Sequence, residues 1–183
     1  MSGHFDRHLP RRLRHWMAAA LLAAASLTFA RADSEAQIEA AYLVNFMKYV
    51  EWPTTTRVTT TICLFGRDTL GPNLAGYEGR SVGGKELLIR RANSPDDMPH
   101  CQMVFIPDVE EARIGAVLRW VDSLPVLVVS DTEGFARLGG GIELVRSGGR
   151  VQFIVNNDAL ARAGLKPGSQ MLRLAQRVIG GER

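Results

Sequence analysis

Few residues in this 183-residue chain are of a type and spacing that could carry chemistry. They are two cysteines, four histidines, one GxxxxGK run and two pairs of adjacent carboxylates. His4, His8 and His15 lie ahead of residue 33, so only His100 follows it. A Ser-His-Asp or Cys-His site needs a histidine oriented beside its nucleophile. A zinc site would have to gather His100, Cys63, Cys101 and a carboxylate, a weak constellation. His100 therefore reads as a solvated residue of a Pro-containing loop. No catalytic residue, metal or cofactor is assigned.

Gly79-Arg-Ser-Val-Gly-Gly-Lys85 satisfies the GxxxxGK pattern. A phosphate-binding loop needs Ser or Thr next, to hold magnesium, and must open a helix whose N-terminus faces the phosphates. Here Glu86 follows, and the run leads into ELLIRR, a strand. It is read as a strand connection. Asp96-Asp97 and Glu110-Glu111 are neighbours in sequence, so their side chains diverge, and both pairs read as solvated charges. Gly139-Gly140-Gly141 lacks the strand-then-helix setting of a dinucleotide site and reads as a turn.

Cys63 and Cys101 are the only cysteines. Two thiols in an exported domain most often pair. Cys63 falls in an expected strand, Thr60–Phe65, and Cys101 at the entry to another, Gln102–Ile106. Neighbouring strands bring such Cα atoms within bonding range. Closing a loop of ~39 residues stabilises by about 4 kcal/mol in the chain-entropy picture. The alternative, a redox switch, lacks a C-x-x-C motif, and a structural staple is preferred.

The assumption of export rests on residues 1–32. Arg11, Arg12 and Arg14 precede the apolar run Trp16–Ala30, and Ala30-Arg31-Ala32 supplies an A-x-A site. Together they describe a signal peptide with the mature chain starting at Asp33. The apolar run is shorter than the ~20 residues of a spanning helix, which weighs against an uncleaved anchor. Residues 1–32 carry five Arg and one Asp. Without them, 17 Lys+Arg face 18 Asp+Glu, so the charge of +3 belongs to the leader. A nearly neutral chain has no electrostatic footprint for nucleic acid. Residues 33–183 fit a single domain with a real core.

The elements that must position these residues alternate. Ser34-Glu-Ala-Gln37 is a capping box, opening a helix that runs to about Val50, before Pro53. Ile38, Tyr42, Phe46 and Tyr49 occupy one side of it, and Leu43, Met47 and Val50 another. Only Glu39, Asn45 and Lys48 interrupt them. A helix apolar on several sides is buried in its own core or shared with a partner. Beyond it come the strand Thr60–Phe65, a short helix Asp68–Ala75 and the strands Glu86–Arg91 and Gln102–Ile106. A helix Asp108–Asp122 follows, with Val109, Ala116, Val117, Trp120 and Val121 inward. Val126–Ser130 is a near-continuous apolar run, the mark of a strand buried on both faces. Gly134–Leu138 reads as a helical turn. Ile142–Arg146 and Arg150–Asn156 alternate across Ser147-Gly148-Gly149 as a hairpin. Helices Asp158–Ala163 and Ser169–Val178 close the chain. The order gives an α/β sandwich: a mixed, mostly parallel sheet flanked by helices, with a C-terminal β-hairpin.

AAYLVNFMKYVEWP, Ala40–Pro53, resembles the opening signature of the YfiR-like (DUF4154) family through Ala40, Ala41, Tyr42, Leu43, Asn45, Phe46, Lys48, Tyr49, Trp52 and Pro53. Ile142–Asn156 and Ala159–Ala175 supply two further matching blocks. The resemblance implies a non-enzymatic periplasmic repressor. Such a protein binds the periplasmic sensing domain of a membrane-bound diguanylate cyclase, lowering cyclic-di-GMP and biofilm formation. An OmpA-like outer-membrane lipoprotein sequesters it. The second cysteine pair of some relatives, near the hairpin, is not in this chain, so a redox mechanism based on it does not carry over. The other function class open to the chain is a periplasmic small-molecule-binding sensor. The chain ends soon after its last helix, without an attached membrane segment or kinase domain, and a free-standing partner-binding protein is expected. Tyr42, Asn45, Phe46, Glu51 and Trp52 are its expected partner-binding residues, with homodimerisation through the same apolar surface. Trp and Tyr are common interface anchors, although Tyr42, Phe46 and Trp52 are equally suited to the core.

Overall fold

Apolar runs whose alternate residues face opposite ways build the sheet. In strand β2 (Thr59–Phe65), Ile62 and Leu64 enter one core and Cys63 and Phe65 another. Strand β5 (Met103–Ile106) divides in the same way, Met103 and Phe105 against Val104 and Ile106. Strand β6 (Leu127–Ser130) sends Leu127 and Val129 to the first core and Val128 to the second. A strand buried on both faces reads as a near-continuous apolar run, as ICLF, MVFI and LVV do here.

The computed structural model describes residues 35–53, 56–147 and 150–181. All elements below belong to the unit Glu35–Arg183. The expected leader and the expected capping residue Ser34 lie outside the described residues. Helix α1 covers residues 35–49. Strand β1 (Val50–Glu51) precedes β2. Helix α2 (Gly71–Leu74) is followed by β3 (Ser81–Val82) and β4 (Lys85–Ala92). After β5 come α3 (Ile114–Trp120), β6, β7 (Ile142–Ser147) and β8 (Arg150–Asn156). The chain then forms α4 (Asn157–Arg162), β9 (Lys166–Pro167), α5 (Ser169–Leu174) and β10 (Arg177–Ile179).

Eight strands form the main sheet in the order β10-β8-β7-β6-β5-β2-β4-β3. Only β3–β4 and β7–β8 pair antiparallel; the other five pairings are parallel. The expected mixed, mostly parallel α/β sheet with its C-terminal hairpin is therefore present. One face is covered by α1, α4 and α5 through Ala40, Leu43, Phe46, Met47, Leu160 and Met171; the other by α3 through Ile114 and Val117.

Glu39, which interrupts the apolar sides of α1, is 1% exposed, and Arg146 bonds it from β7. Three local expectations need correction. The expected helix Asp108–Asp122 divides into a 3-10 segment, Asp108–Arg113, and α3, because Glu110 has non-helical dihedrals. The break changes the phase, so Val109 is 52% exposed rather than inward. The last expected helix, Ser169–Val178, stops at Leu174. Ala175 turns extended, the Gln176 N–H donates to the Phe153 carbonyl, and β10 pairs parallel with β8. An open sheet edge beside Arg177–Ile179 outweighs helix propensity there. Finally, Val50 belongs not to the helix but to β1, which pairs with β9 in a separate two-stranded ladder.

The GxxxxGK run is a hairpin. Gly83 and Gly84 join β3 to β4 with φ of 59° and 80°. Positive φ at both central residues is what a type I′ turn demands.

Candidate functional site

Helix α1 runs against the parallel strands and links the two ends of the sheet. Its 15 residues span about 22 Å, close to the ~23 Å of a seven-residue strand. Glu39 near its start meets residues beyond the carboxyl ends of β6 and β5. Met47 and Lys48 near its end reach the amino ends.

At the amino ends the chain leaves α1 through β1, whose Glu51 pairs with Lys166 and Val50 with Pro167. Trp52 follows, half-buried, and its indole N–H donates to the Gln102 carbonyl at 3.2 Å. The same carbonyl accepts from Leu127 N, while the Gln102 side chain accepts from Thr61 N at 2.8 Å. Gln102 thus ties the starts of β2, β5 and β6 together and fixes Trp52 to them. Cys101 and Cys63 form a disulfide with Cα atoms 5.8 Å apart, both residues 2% exposed.

These residues wall a cleft of about 650 Å³. Met47, Val50, Trp52, Val82, Leu124 and Val126 give it an apolar lining; Lys48, Arg57 and Lys85 give it charge. Among the described residues no carboxylate contributes to the wall. Arg57 donates to the Pro99 carbonyl at 3.2 Å. Neither Lys48 nor Lys85 forms an ion pair with a described residue.

The five expected partner-binding residues divide between core and surface. Phe46 is 2% exposed and packs edge-on to Phe153 at 5.1 Å. Tyr42, part-buried, stacks on Phe46 at 5.7 Å and donates to the Val151 carbonyl at 3.1 Å. These two hold α1 to the hairpin strand β8. Asn45 and Glu51 are exposed and Trp52 is half-buried at the cleft. With Ile38 (41% exposed) and Tyr49 (38%), Asn45 marks a stripe of α1 that faces out.

A second polar group was not foreseen. Beyond the carboxyl ends, Arg146 Nε donates to Glu39 at 2.6 Å and its Nη2 to Asp131 at 2.6 Å, with Asp108 at 3.9 Å. Burial raises the Glu39 pKa above its ordinary value, only partly opposed by Arg146. Burial raises that of Asp131 in the same way. Burial works against the charge of Arg146 itself, but the bond to Glu39 and the three carboxylates prevail, and its pKa rises. The only hint in the sequence was an acidic residue on an apolar helix and an arginine at the end of a hairpin strand.

Asp97 is not simply solvated: it accepts from Asn93 N and from Ser94 N and Oγ, capping the 3-10 turn Pro95–His100. Those bonds, that from Asn93 first, lower its pKa. Glu110 accepts from Arg67 N and pairs with Arg113 at 3.6 Å. His100 is exposed at the end of its turn. Among the described residues no group of three or more His, Cys, Asp or Glu is placed to hold a metal, and no helix is long and apolar enough to cross a membrane.

The architecture is similar to that of two solved structures. One is a conserved domain protein from Vibrio cholerae O1 biovar eltor, at 10% identity and a TM-score of 0.53, covering 79% of this chain and 60% of that one. The other is the ABC domain in complex with L-Trp from Streptococcus pneumonia, at 10% identity and a TM-score of 0.51, covering 74% and 59%. The chain spans about six tenths of the length of each, and at this identity the likeness is one of fold alone. The DUF4154 family, YfiR/HmsC-like, matches residues 36–176, which include α1, both cysteines, the hairpin and α5. The chain belongs to this family, one of periplasmic regulators of cyclic-di-GMP signalling.

Proposed function

We propose that the protein is a non-enzymatic repressor that binds the periplasmic sensing domain of a membrane-bound diguanylate cyclase, lowering cyclic-di-GMP and restraining biofilm formation. The supporting observation is the outward stripe of α1. Tyr42 and Phe46 fix the helix to β8, so Ile38, Asn45, Lys48 and Tyr49 are presented on a rigid element, with Glu51 and Trp52 at its end. Rigid aromatic and aliphatic groups on a fixed helix lose little freedom on docking. The same stripe serves homodimerisation, and an OmpA-like outer-membrane lipoprotein competes for the protein. Export by cleavage after Ala32 delivers it to the periplasm.

The test is a pull-down from membranes with the exported protein, using variants at the stripe. Glu51→Lys reverses an exposed charge and is expected to change stability by less than about 0.5 kcal/mol. It should abolish capture of the cyclase and raise cyclic-di-GMP. If Glu51→Lys and Trp52→Ala stay folded and leave binding and cyclic-di-GMP unchanged, the interface lies elsewhere.

The second reading, a small-molecule-binding sensor, is favoured by the cleft. Its ~650 Å³ falls within the ~300–1,000 Å³ of ligand pockets. The similarly folded ABC domain was solved with a small ligand.

A further inference from the structure

We propose that the cleft at the amino ends of the strands is a binding site for a small molecule with an apolar body and one carboxylate. The proposal rests on the second reading above and names its ligand class. Three observations carry it.

The first is charge. Lys48 comes from the last turn of α1, Arg57 from the segment before β2, and Lys85 from the start of β4. Three segments distant in sequence thus bring a cation to one cleft, Arg57 held by its bond to the Pro99 carbonyl, and among the described residues no carboxylate sits in its wall. The residues outside the leader are otherwise close to neutral, so three cations around one cavity are a local concentration. A concave wall of one sign focuses its field on the space it encloses. By contrast, the lining of the cavity of about 540 Å³ beside α3 and α4 includes both signs, Asp122 as well as Arg119 and Arg162.

The second is the lining. Met47, Val50, Val82 and Val126 are buried, yet their side chains border the cleft, and Trp52 is pinned beside them by its bond to Gln102. Such a floor accepts a hydrocarbon or ring body. A few charged groups at the rim of an apolar pocket orient the ligand's polar end.

The third limits the anion. Gly83-Gly84 at the rim form a hairpin turn and not the start of a helix, so the phosphate-cradling N–H groups of a helix N-terminus are missing there. Lysine and arginine side chains around an apolar space suit a single carboxylate.

Isothermal calorimetry on the folded, disulfide-bonded protein tests this, with phenylacetate and hexanoate against their neutral amides, phenylacetamide and hexanamide. The carboxylates should bind at least ~10-fold more tightly than the amides, the discrimination of one charge-assisted contact. Lys48→Gln/Lys85→Gln should remove that preference while leaving the thermal transition in place. Equal affinity for acids and amides would overturn the ligand class but leave the cleft a binding site. Absence of heat with all four at millimolar concentration would overturn the class and the sensor reading together. Retained preference in the double variant would overturn the site. Capture of the cyclase is measured separately, on the wild-type protein and the Glu51→Lys variant, and does not enter these outcomes.

Discussion

At the carboxyl ends of the parallel strands, three carboxylates converge on one guanidinium. At the amino ends, three cations face a cleft to which no described carboxylate contributes. Helix α1 touches both, contributing Glu39 to one and Lys48 to the other. The carboxyl-end group is satisfied within the protein: Glu39 and Asp131 are deeply buried, and among the described residues no buried side-chain polar atom lacks a partner. At the amino end, Lys48 and Lys85 have no ion-pair partner among the described residues, while Arg57 is bonded to the Pro99 carbonyl. Charges that fasten elements together are closed by their partners; charges that meet another molecule stay open. The comparison can be broken or sharpened by removing residues from each end in turn.

The largest expected effect is at the disulfide beneath the cleft. Cys63→Ser should cost about 4 kcal/mol, ~8–16 °C in melting temperature at ~2–4 °C per kcal/mol for a domain of this size. Calorimetry measures the shift. Free-thiol titration of the exported wild-type protein should find no reactive cysteine, and two would refute the staple.

Arg146→Met comes next. Removing one partner of a buried ion pair costs ~3–5 kcal/mol, and because the Arg146 side chain is 40% exposed the expected loss is about 2–3 kcal/mol. The sign of its pH dependence is fixed by Glu39 and Asp131, whose folded pKa values are raised. Burying these groups protonated stabilises fully below the ordinary carboxylate pKa of ~4, and that contribution is lost as pH rises through the raised folded values. Arg146 opposes that rise at both groups, so without it their charged forms cost more, and the variant should be nearest to wild type in acid and furthest from it at neutral pH. Denaturant titrations across this range that give a pH-independent loss would break the account of the carboxyl end.

Trp52→Ala should cost less than the ~3–5 kcal/mol of a fully buried aromatic, since Trp52 is only half-buried. The variant should remain folded by circular dichroism. A collapse of the fold would move Trp52 from the docking edge into the core.

The smallest effect is expected at the amino-end cations. Lys48→Gln/Lys85→Gln should change stability by no more than about 0.5 kcal/mol, as for surface substitutions without a structural partner. A loss as large as that of Arg146→Met would show that the two ends are equally structural and end the contrast.

What could be read from the sequence follows from local rules. MVFI is apolar at every position and TTICLF and LVVS carry apolar runs bounded by Thr or Ser, and a sheet buried on both faces is the economical way to use such strands. The Ser147–Arg150 hairpin, the Gly83-Gly84 connection and the pairing of Cys63 with Cys101 needed only turn chemistry and strand adjacency. The family blocks at Ala40–Pro53 and Ile142–Asn156 were equally plain in the residues.

Tertiary structure alone decided the rest, because it brings distant residues together. Glu39 and Arg146 are separated by 107 residues, and no periodicity distinguishes a buried acid awaiting a partner from a solvated one. Val50–Glu51 and Arg177–Ile179 became strands because β9 and the edge of β8 offered them unpaired backbone groups. Phe46 and Asn45 adjoin in sequence, yet one enters the core and the other faces water. Lys48, Arg57 and Lys85 form a site only because α1 runs against the strands and ends where β2 and β4 begin. Local sequence fixes which residues prefer to be strand, turn or apolar face; the partners a charge finds depend on packing between elements far apart in the chain.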